Sequence, residues 1–180
     1  MKCKVCKAPF TRARPLQSVC SHSCAMALVA AKKAKDEAKA RTEDRKATAQ
    51  ARNRLKTRSE LAQEAQVAVN AYVRLRDAAL PCVSCGRYHQ GQWHAGHYMS
   101  RGARPDLRFD LDNIHKQCAP CNEHLSGNIA AYRIELLRRI GQAGVDRLEG
   151  PAQPDKLTRD ELIELKTRFR GMARALAKMT

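Results

Sequence analysis

Three segments of the chain place apolar residues every three or four positions, which is the spacing of one face of an α-helix. The first opens at Thr57-x-x-Glu60, a capping-box sequence, and the third opens at a second capping box, Thr158-x-x-Glu161. Gly141 ends the second segment. The apolar faces consist of Leu61, Ala65, Ala68, Val69, Tyr72 and Leu75 in the first segment, Ile129, Tyr132, Leu136 and Ile140 in the second, and Leu162, Leu165, Phe169, Met172 and Leu176 in the third.

The first face is expected to be buried in a core. The third face has the spacing of a seam for another helix, and Leu157 with Leu162 forms a hydrophobic staple at its start. The helix that pairs with this seam belongs either to the same chain or to a second subunit.

Residues 27–56 lack such a face. They contain no Gly or Pro, and between Ala30 and Arg54 the only apolar residues are alanines. This composition predicts a helix that is polar on every side. Such a helix is either a solvated spacer or, given its excess of Lys and Arg, an arm that contacts DNA.

Residues 81–127 are rich in Gly and Pro, and this indicates turns and short strands. We predict a hairpin from the segments "QWHAGHYMS" and "LRFDLDNIH", followed by a helix that begins after Cys121. The chain then has five parts, residues 1–26, 27–56, 57–80, 81–141 and 142–180. The predicted fold class is α+β, predominantly α, with a small strand-strand-helix core.

Charge narrows the class of partner. The 180 residues include 34 Lys and Arg against 18 Asp and Glu, so the formal net charge is +16 and the isoelectric point is about 9.9. This excess favours a polyanionic partner, with nucleic acid as the leading candidate and an anionic membrane surface as the alternative, and no small-molecule substrate is expected. We expect no membrane segment, because no stretch approaches the roughly 18 apolar residues of a membrane span. Without a secretory signal, we expect a cytoplasmic protein.

All eight cysteines fall into close pairs. In a reducing compartment such pairs bind metal more often than they form disulfides. Two pairs together supply the four thiolates of a structural zinc site, so the chain is expected to hold two zinc ions. His22 is either a replacement for one thiolate or a solvated histidine. The predicted zinc ligands are Cys3, Cys6, Cys20 and Cys24 in one site and Cys82, Cys85, Cys118 and Cys121 in the other.

Candidate chemistry lies between Cys85 and Cys118. These 32 residues carry four of the six histidines, and a zinc site that only closed a loop would not need them. His94 and His97 lie on the first predicted strand, while Asn122 and His124 open the next helix. An ion held between the hairpin and the start of the helix could contact both.

The residues "CVSCG", "HAGHY" and "RFDLDNIHKQCAPCNEHLSGN" strongly resemble the phage recombination endonucleases of the NinG (Rap) family. That family is similar in turn to the His-Asn-His and endonuclease VII nucleases, which have a ββα-metal (His-Me finger) core. The resemblance runs along essentially the whole chain and is most specific in residues 80–141. It implies a phage-encoded endonuclease in the bacterial host cytoplasm that cuts Holliday junctions and D-loops.

The resemblance also implies residue roles. His97 takes the place of the catalytic histidine, here a general base, and Asn113 that of the central asparagine, here a positioning residue. Asn122 takes a metal-ligand position. His94 stands where the family has an aspartate, so it is either a ligand of the catalytic Mg²⁺ or Mn²⁺ or a residue that faces solvent beside Trp93. The two histidines share a face only if Ala95-Gly96 forms a bulge, because strand side chains alternate.

Four basic residues and three further histidines surround this site. Arg101, Arg104, Arg108 and Lys116 are the candidate phosphate-binding residues. His89, His115 and His124 are assigned surface or supporting roles. Two opposed cuts in a junction require two sites, so the expected assembly is a homodimer on branched DNA.

Two other functions remain open. A non-catalytic, zinc-dependent nucleic-acid-binding protein would explain the cysteines and the charge, but it leaves the pattern of His94, His97, Asn113 and Asn122 without a use. A structural or regulatory protein would act through the basic helix and the C-terminal seam. Cleavage of a branched DNA substrate in the presence of a divalent metal separates the nuclease from both.

Overall fold

The structure, a computed structural model, describes residues 1–154 and 157–179. It is mainly helical with one two-stranded sheet, which confirms the predicted α+β class with a predominance of helix. Residues 155, 156 and 180 of the predicted C-terminal part lie outside the described residues. The chain forms two compact units, Met1–Leu55 and Lys56–Thr180. The helices are α1 His22–Leu55, α2 Arg58–Arg76, α3 Ile129–Glu149 and α4 Arg159–Leu176, and the strands are β1 Trp93–His97 and β2 Ile114–Cys118.

The first unit is a cysteine-rich loop followed by α1. A β-bridge between Lys2 and Pro9 closes the loop around Cys3, which is the only buried residue of positions 1–55. The helix begins at His22, five residues before the predicted start at 27. The Ser21 hydroxyl accepts a hydrogen bond from the Cys24 N–H, so the last cysteine lies inside the first turn. No residue of α1 is buried, as its composition predicts.

In the second unit, α2 and α4 pack against each other through their apolar faces. Each helix begins with the capping box that the sequence predicts, with Thr57 and Thr158 as the N-cap residues. The rings of Tyr72 and Phe169 lie 5.3 Å apart in this contact. The helix that pairs with the α4 seam is therefore α2 of the same chain.

Strands β1 and β2 form an antiparallel hairpin with an unbroken register from Trp93 opposite Cys118 to His97 opposite Ile114. The predicted second strand, Leu107–His115, is wrong, because the strand starts at Ile114. Its alternating residues instead form a 3₁₀ turn at Pro105–Leu107 and a second turn in which the Asp110 carboxylate accepts the Asp112 N–H. Short aspartate side chains favour such turns over a strand.

One face of the hairpin packs on α2, where Ala95 and Ile114 join its apolar cluster. After β2, a π-helical turn at Pro120–His124 leads into α3. The chain does break at Gly141, which has a φ of +70°, but the helix then resumes and continues to Glu149. Among the described residues, no helix combines the length and the apolar character that crossing a membrane requires.

Candidate functional site

A polar cleft of about 360 Å³ is lined in part by residues of β1. The cleft lies between α2, the segment after β1 and the π-helical turn, so three separate parts of the chain reach it. Its lining includes His94, His97, Asn122, Arg101, Asn70 and Arg74.

His97, at the end of β1, has its proton position fixed by the fold. Its Nε2 lies 3.0 Å from the carbonyl oxygen of Arg108. A carbonyl oxygen only accepts, so Nε2 carries the hydrogen and the neutral ring keeps a free lone pair on Nδ1. Burial lowers the pKa of His97, and the positive charges of Arg101 and Arg108 lower it further. At neutral pH the ring is therefore uncharged and able to accept a proton.

Asn113 is fully buried and holds the segment that follows β1. Its Oδ1 accepts the Met99 N–H at 2.7 Å, and its Nδ2 donates to the carbonyl oxygens of Met99 and Leu107. The backbone of Asn113 also accepts the Tyr98 N–H. These bonds fix the backbone directly after His97.

His94 lies three residues before His97 on a strand without a bulge, so the bulge expected at Ala95-Gly96 is absent. Both side chains nevertheless line the cleft. The Nε2 of His94 is buried and has no hydrogen-bond partner among the described residues. The Glu123 carboxylate lies close by, with its Oε1 3.4 Å from that nitrogen.

Gly96, between the two histidines, is buried against Gln117 of β2. A Cβ atom at position 96 would overlap the Oε1 of Gln117 and approach the Oδ1 of Asn122. The Gln117 amide donates to the Ser84 hydroxyl and the Gly127 carbonyl, which holds it in place. Position 96 thus requires glycine because Gln117 and Asn122 lie too close to admit a Cβ atom, and not because the backbone adopts a positive φ.

The candidate basic residues are not brought together. Arg101 is exposed at the cleft, while Arg108 is half-buried and donates to Gln66 of α2. Arg104 is 6% exposed and is paired with Asp106 and two carbonyl oxygens of the chain. Lys116 is 5% exposed, donates to the Ala78 carbonyl and lies over the Trp93 ring. Arg104 and Lys116 therefore support the fold beside the cleft rather than reaching into it.

Two residues of α2, Asn70 and Arg74, line the cleft and were not predicted. Their spacing of four places them on one side of the helix, and this is the signal in the sequence that could have identified them. Gln66, one turn earlier, donates to Asn70 and accepts from Arg108. This chain of bonds connects the polar side of α2 to the segment that holds His97.

The remaining histidines lie apart from this cleft lining. His89 approaches the Cys85 sulfur at 3.3 Å, and His124 is exposed on the π-helical turn. His115 is buried, with its Nδ1 3.1 Å from the Tyr132 hydroxyl. Burial and two nearby arginines lower the pKa of His115 to about 3.

The eight cysteines form two groups of four, paired as the sequence predicts, and within each group the sulfur atoms lie within 4.8 Å of one another. A tetrahedral ion with zinc-sulfur bonds of about 2.3 Å places its sulfurs about 3.8 Å apart. The separations are 3.5 Å for Cys6 and Cys20, 3.7 Å for Cys20 and Cys24, and 3.9 Å for Cys85 and Cys118. Both groups thus fit structural zinc.

The family model described as "Bacteriophage Lambda NinG protein" matches residues 1–179. Proteins called "Protein ninG" from Escherichia phage 933W and Escherichia phage lambda are 50% and 49% identical to the chain over 115 residues, which is 64% of it. The protein of the same name from Salmonella phage P22 is 49% identical. The match spans 57%, 56% and 57% of these three relatives respectively, so it covers little more than half of their length. No solved structure matches the chain.

Proposed function

The chain belongs to the NinG family of phage proteins, and we propose that it is a divalent-metal-dependent endonuclease that cleaves branched DNA such as Holliday junctions and D-loops. The observation that carries this proposal is the orientation of His97, whose Nε2–H is committed to a backbone carbonyl while Nδ1 stays free to accept a proton. The hairpin and the helical turn after it support a ββα-metal interpretation of the core.

Hydrolysis of a phosphodiester needs a deprotonated water in line with the 3′ oxygen that leaves. In this proposal, Nδ1 of His97 takes the proton from that water while the water oxygen attacks phosphorus. Asn113 keeps the His97 segment rigid through its bonds to Met99 and Leu107, so the base needs little reorganisation. The lowered pKa of His97 keeps the base uncharged at neutral pH.

His94 and Asn122 would hold the divalent ion, because both line the cleft and the buried Nε2 of His94 makes no hydrogen bond among the described residues. When bound, such an ion neutralises charge on the phosphate and on the leaving oxygen. An imidazole ligand suits Mn²⁺ better than Mg²⁺, which prefers oxygen. Arg101 and Arg74, the exposed arginines of the cleft, are placed to bind neighbouring phosphates.

Zinc in the two cysteine groups would be structural, since four thiolates leave no open coordination position.

A junction carries two opposed strands to cut, so we propose that a pair of chains acts on it, and light scattering on the junction would detect this pair. The basic α1, in which no residue is buried, also fits a second function, nucleic-acid binding without cleavage.

The test uses zinc-loaded protein, a labelled four-way junction and either Mn²⁺ or Mg²⁺. We expect cleavage with Mn²⁺, and we expect His97→Ala to lower its rate by about a hundred- to ten-thousandfold while junction affinity stays unchanged. His124→Ala removes an exposed histidine of the neighbouring turn and serves as the matched control. Wild-type binding without cleavage would establish the second function, and near-normal cleavage by His97→Ala would exclude His97 as the base.

A further inference from the structure

The buried Nε2 of His94 makes no hydrogen bond within the described part of the chain but lies close to a carboxylate. The Oε1 of Glu123 lies only 3.4 Å from this nitrogen. The two atoms are thus close but not aligned as donor and acceptor. Glu123 follows Asn122 directly in the π-helical turn, and its side chain is 52% exposed.

This separation fits two ligands of one metal ion. Ligand atoms that lie about 2.1 Å from an ion, with an angle of roughly 90° to 110° between them, are about 3.0 to 3.4 Å apart. An ion placed between Nε2 and Oε1 would bind the buried nitrogen, which makes no hydrogen bond among the described residues. Asn122, the residue before Glu123, lines the same cleft.

Charge gives a second, independent reason. Neutral His94 and Asn122 contribute no negative charge to a divalent ion, and the affinity of such sites rises with the number of charged oxygen ligands. The surrounding arginines, Arg101 and Arg74, add positive charge and oppose cation binding. A carboxylate at this position offsets part of that repulsion.

We propose that Glu123 is a direct ligand of the divalent ion and the source of the negative charge in a set formed by His94, Asn122 and Glu123. The inference rests on the proposed function only for the identity of the metal site. The site then offers one nitrogen and two oxygen donors and leaves further positions for water and phosphate. This donor set accepts Mn²⁺ readily.

Metal binding is the direct test. Zinc-loaded protein, with both cysteine groups filled, is titrated with Mn²⁺, and free Mn²⁺ is measured by electron paramagnetic resonance. Glu123→Gln keeps the shape of the side chain and removes its charge, and we expect it to weaken Mn²⁺ binding by about tenfold or more. Glu164→Gln makes the same chemical change at an exposed position of α4 and should leave the affinity unchanged.

A double variant sharpens the assignment. If His94 and Glu123 bind the same ion, the effect of His94→Ala with Glu123→Gln is smaller than the sum of the two single effects, because each single change already damages the shared site. Zinc content of two ions per chain in every variant controls for folding. Additive effects, or an unchanged Mn²⁺ affinity in Glu123→Gln, would overturn the proposal.

The outcome is separable from that of the nuclease proposal. If Mn²⁺ binding depends on Glu123 but the wild-type protein cuts no junction, Glu123 is supported as a metal ligand and the proposed nuclease function is refuted. If the protein cuts the junction and Glu123→Gln binds Mn²⁺ normally, the nuclease function is supported and Glu123 is refuted as a metal ligand.

Discussion

The two cysteine groups have the same four-thiol composition but lie in very different surroundings. In the first group only Cys3 is buried, and no other residue of positions 1–55 is buried at all. In the second group Cys82, Cys118 and Cys121 are all buried, and Trp93 packs against them. Among its described residues, the second unit also has three apolar clusters.

The difference indicates two uses of the same chemistry. In the first unit the metal would take the place of a hydrophobic core, as in small domains that fold only with metal. In the second unit it would join two distant parts of the chain, the segment before β1 and the segment that runs from the end of β2 into the π-helical turn with Asn122 and Glu123. Only the second group is therefore expected to determine the geometry of the cleft.

The largest expected effect is the loss of folding that follows when one cysteine group at a time is prevented from binding zinc. Structural zinc contributes on the order of 10 kcal/mol, comparable to the whole stability of a domain, about 5 to 15 kcal/mol. We expect Cys118→Ser to unfold the second unit and abolish the cleft. Hydrogen exchange of α2 and α4, with zinc content by elemental analysis, measures both consequences.

Cys20→Ser is the matched change in the first group. It should lower the zinc content equally but leave exchange in α2 and α4 protected, because those helices pack on each other within the second unit. If both variants lost protection in α2 and α4, the two groups would have the same role.

Lowering the pH is expected to have a smaller effect on the free energy of unfolding of the second unit. His115 has a pKa of about 3 in the folded second unit, against about 6.5 when unfolded, so the unfolded chain binds more protons between these values. Stability is then fully present above pH 6.5 and falls as the pH decreases, by about 1.4 kcal/mol per pH unit for one group. His97, whose pKa is also lowered, adds to the same slope.

Urea unfolding of the second unit between pH 7 and 5 measures this slope. We expect His115→Gln to make it shallower, since one titrating group is removed. His22→Gln removes an exposed histidine of the first unit and should leave the slope unchanged. Equal slopes for wild type and His115→Gln would show that His115 titrates normally in the folded state.

The smallest effect concerns the helix ends. Thr57 caps α2 through its side chain, and its loss should lower the free energy of unfolding of the second unit by about 1 kcal/mol. Thr48 lies exposed within α1, where alanine is the better helix former, so Thr48→Ala should cost nothing. A urea midpoint for Thr57→Ala equal to that of Thr48→Ala would contradict the capping role.

Local signals in the sequence predicted the parts that local physics determines. The capping boxes of α2 and α4 and the break at Gly141 appear where their residues indicate, and the cysteine pairs meet in the predicted groups. The second strand was misplaced because Asp110 and Asp112 alternate with apolar residues yet form a turn. The docking of α2 on the hairpin brings Asn70 and Arg74 to the cleft, and its only local signal is the spacing of four that places both residues on one side of the helix.

The assembly of the second cysteine group from distant segments has a consequence in time. Cys24 completes the first group, whereas about 100 further residues must be synthesised before Cys121 completes the second. At roughly 5 to 20 residues per second, this takes roughly 5 to 20 s. For about the last third of this interval the nascent chain carries Cys82 and Cys85 without a complete second group. The first group can therefore bind zinc while the cleft does not yet exist.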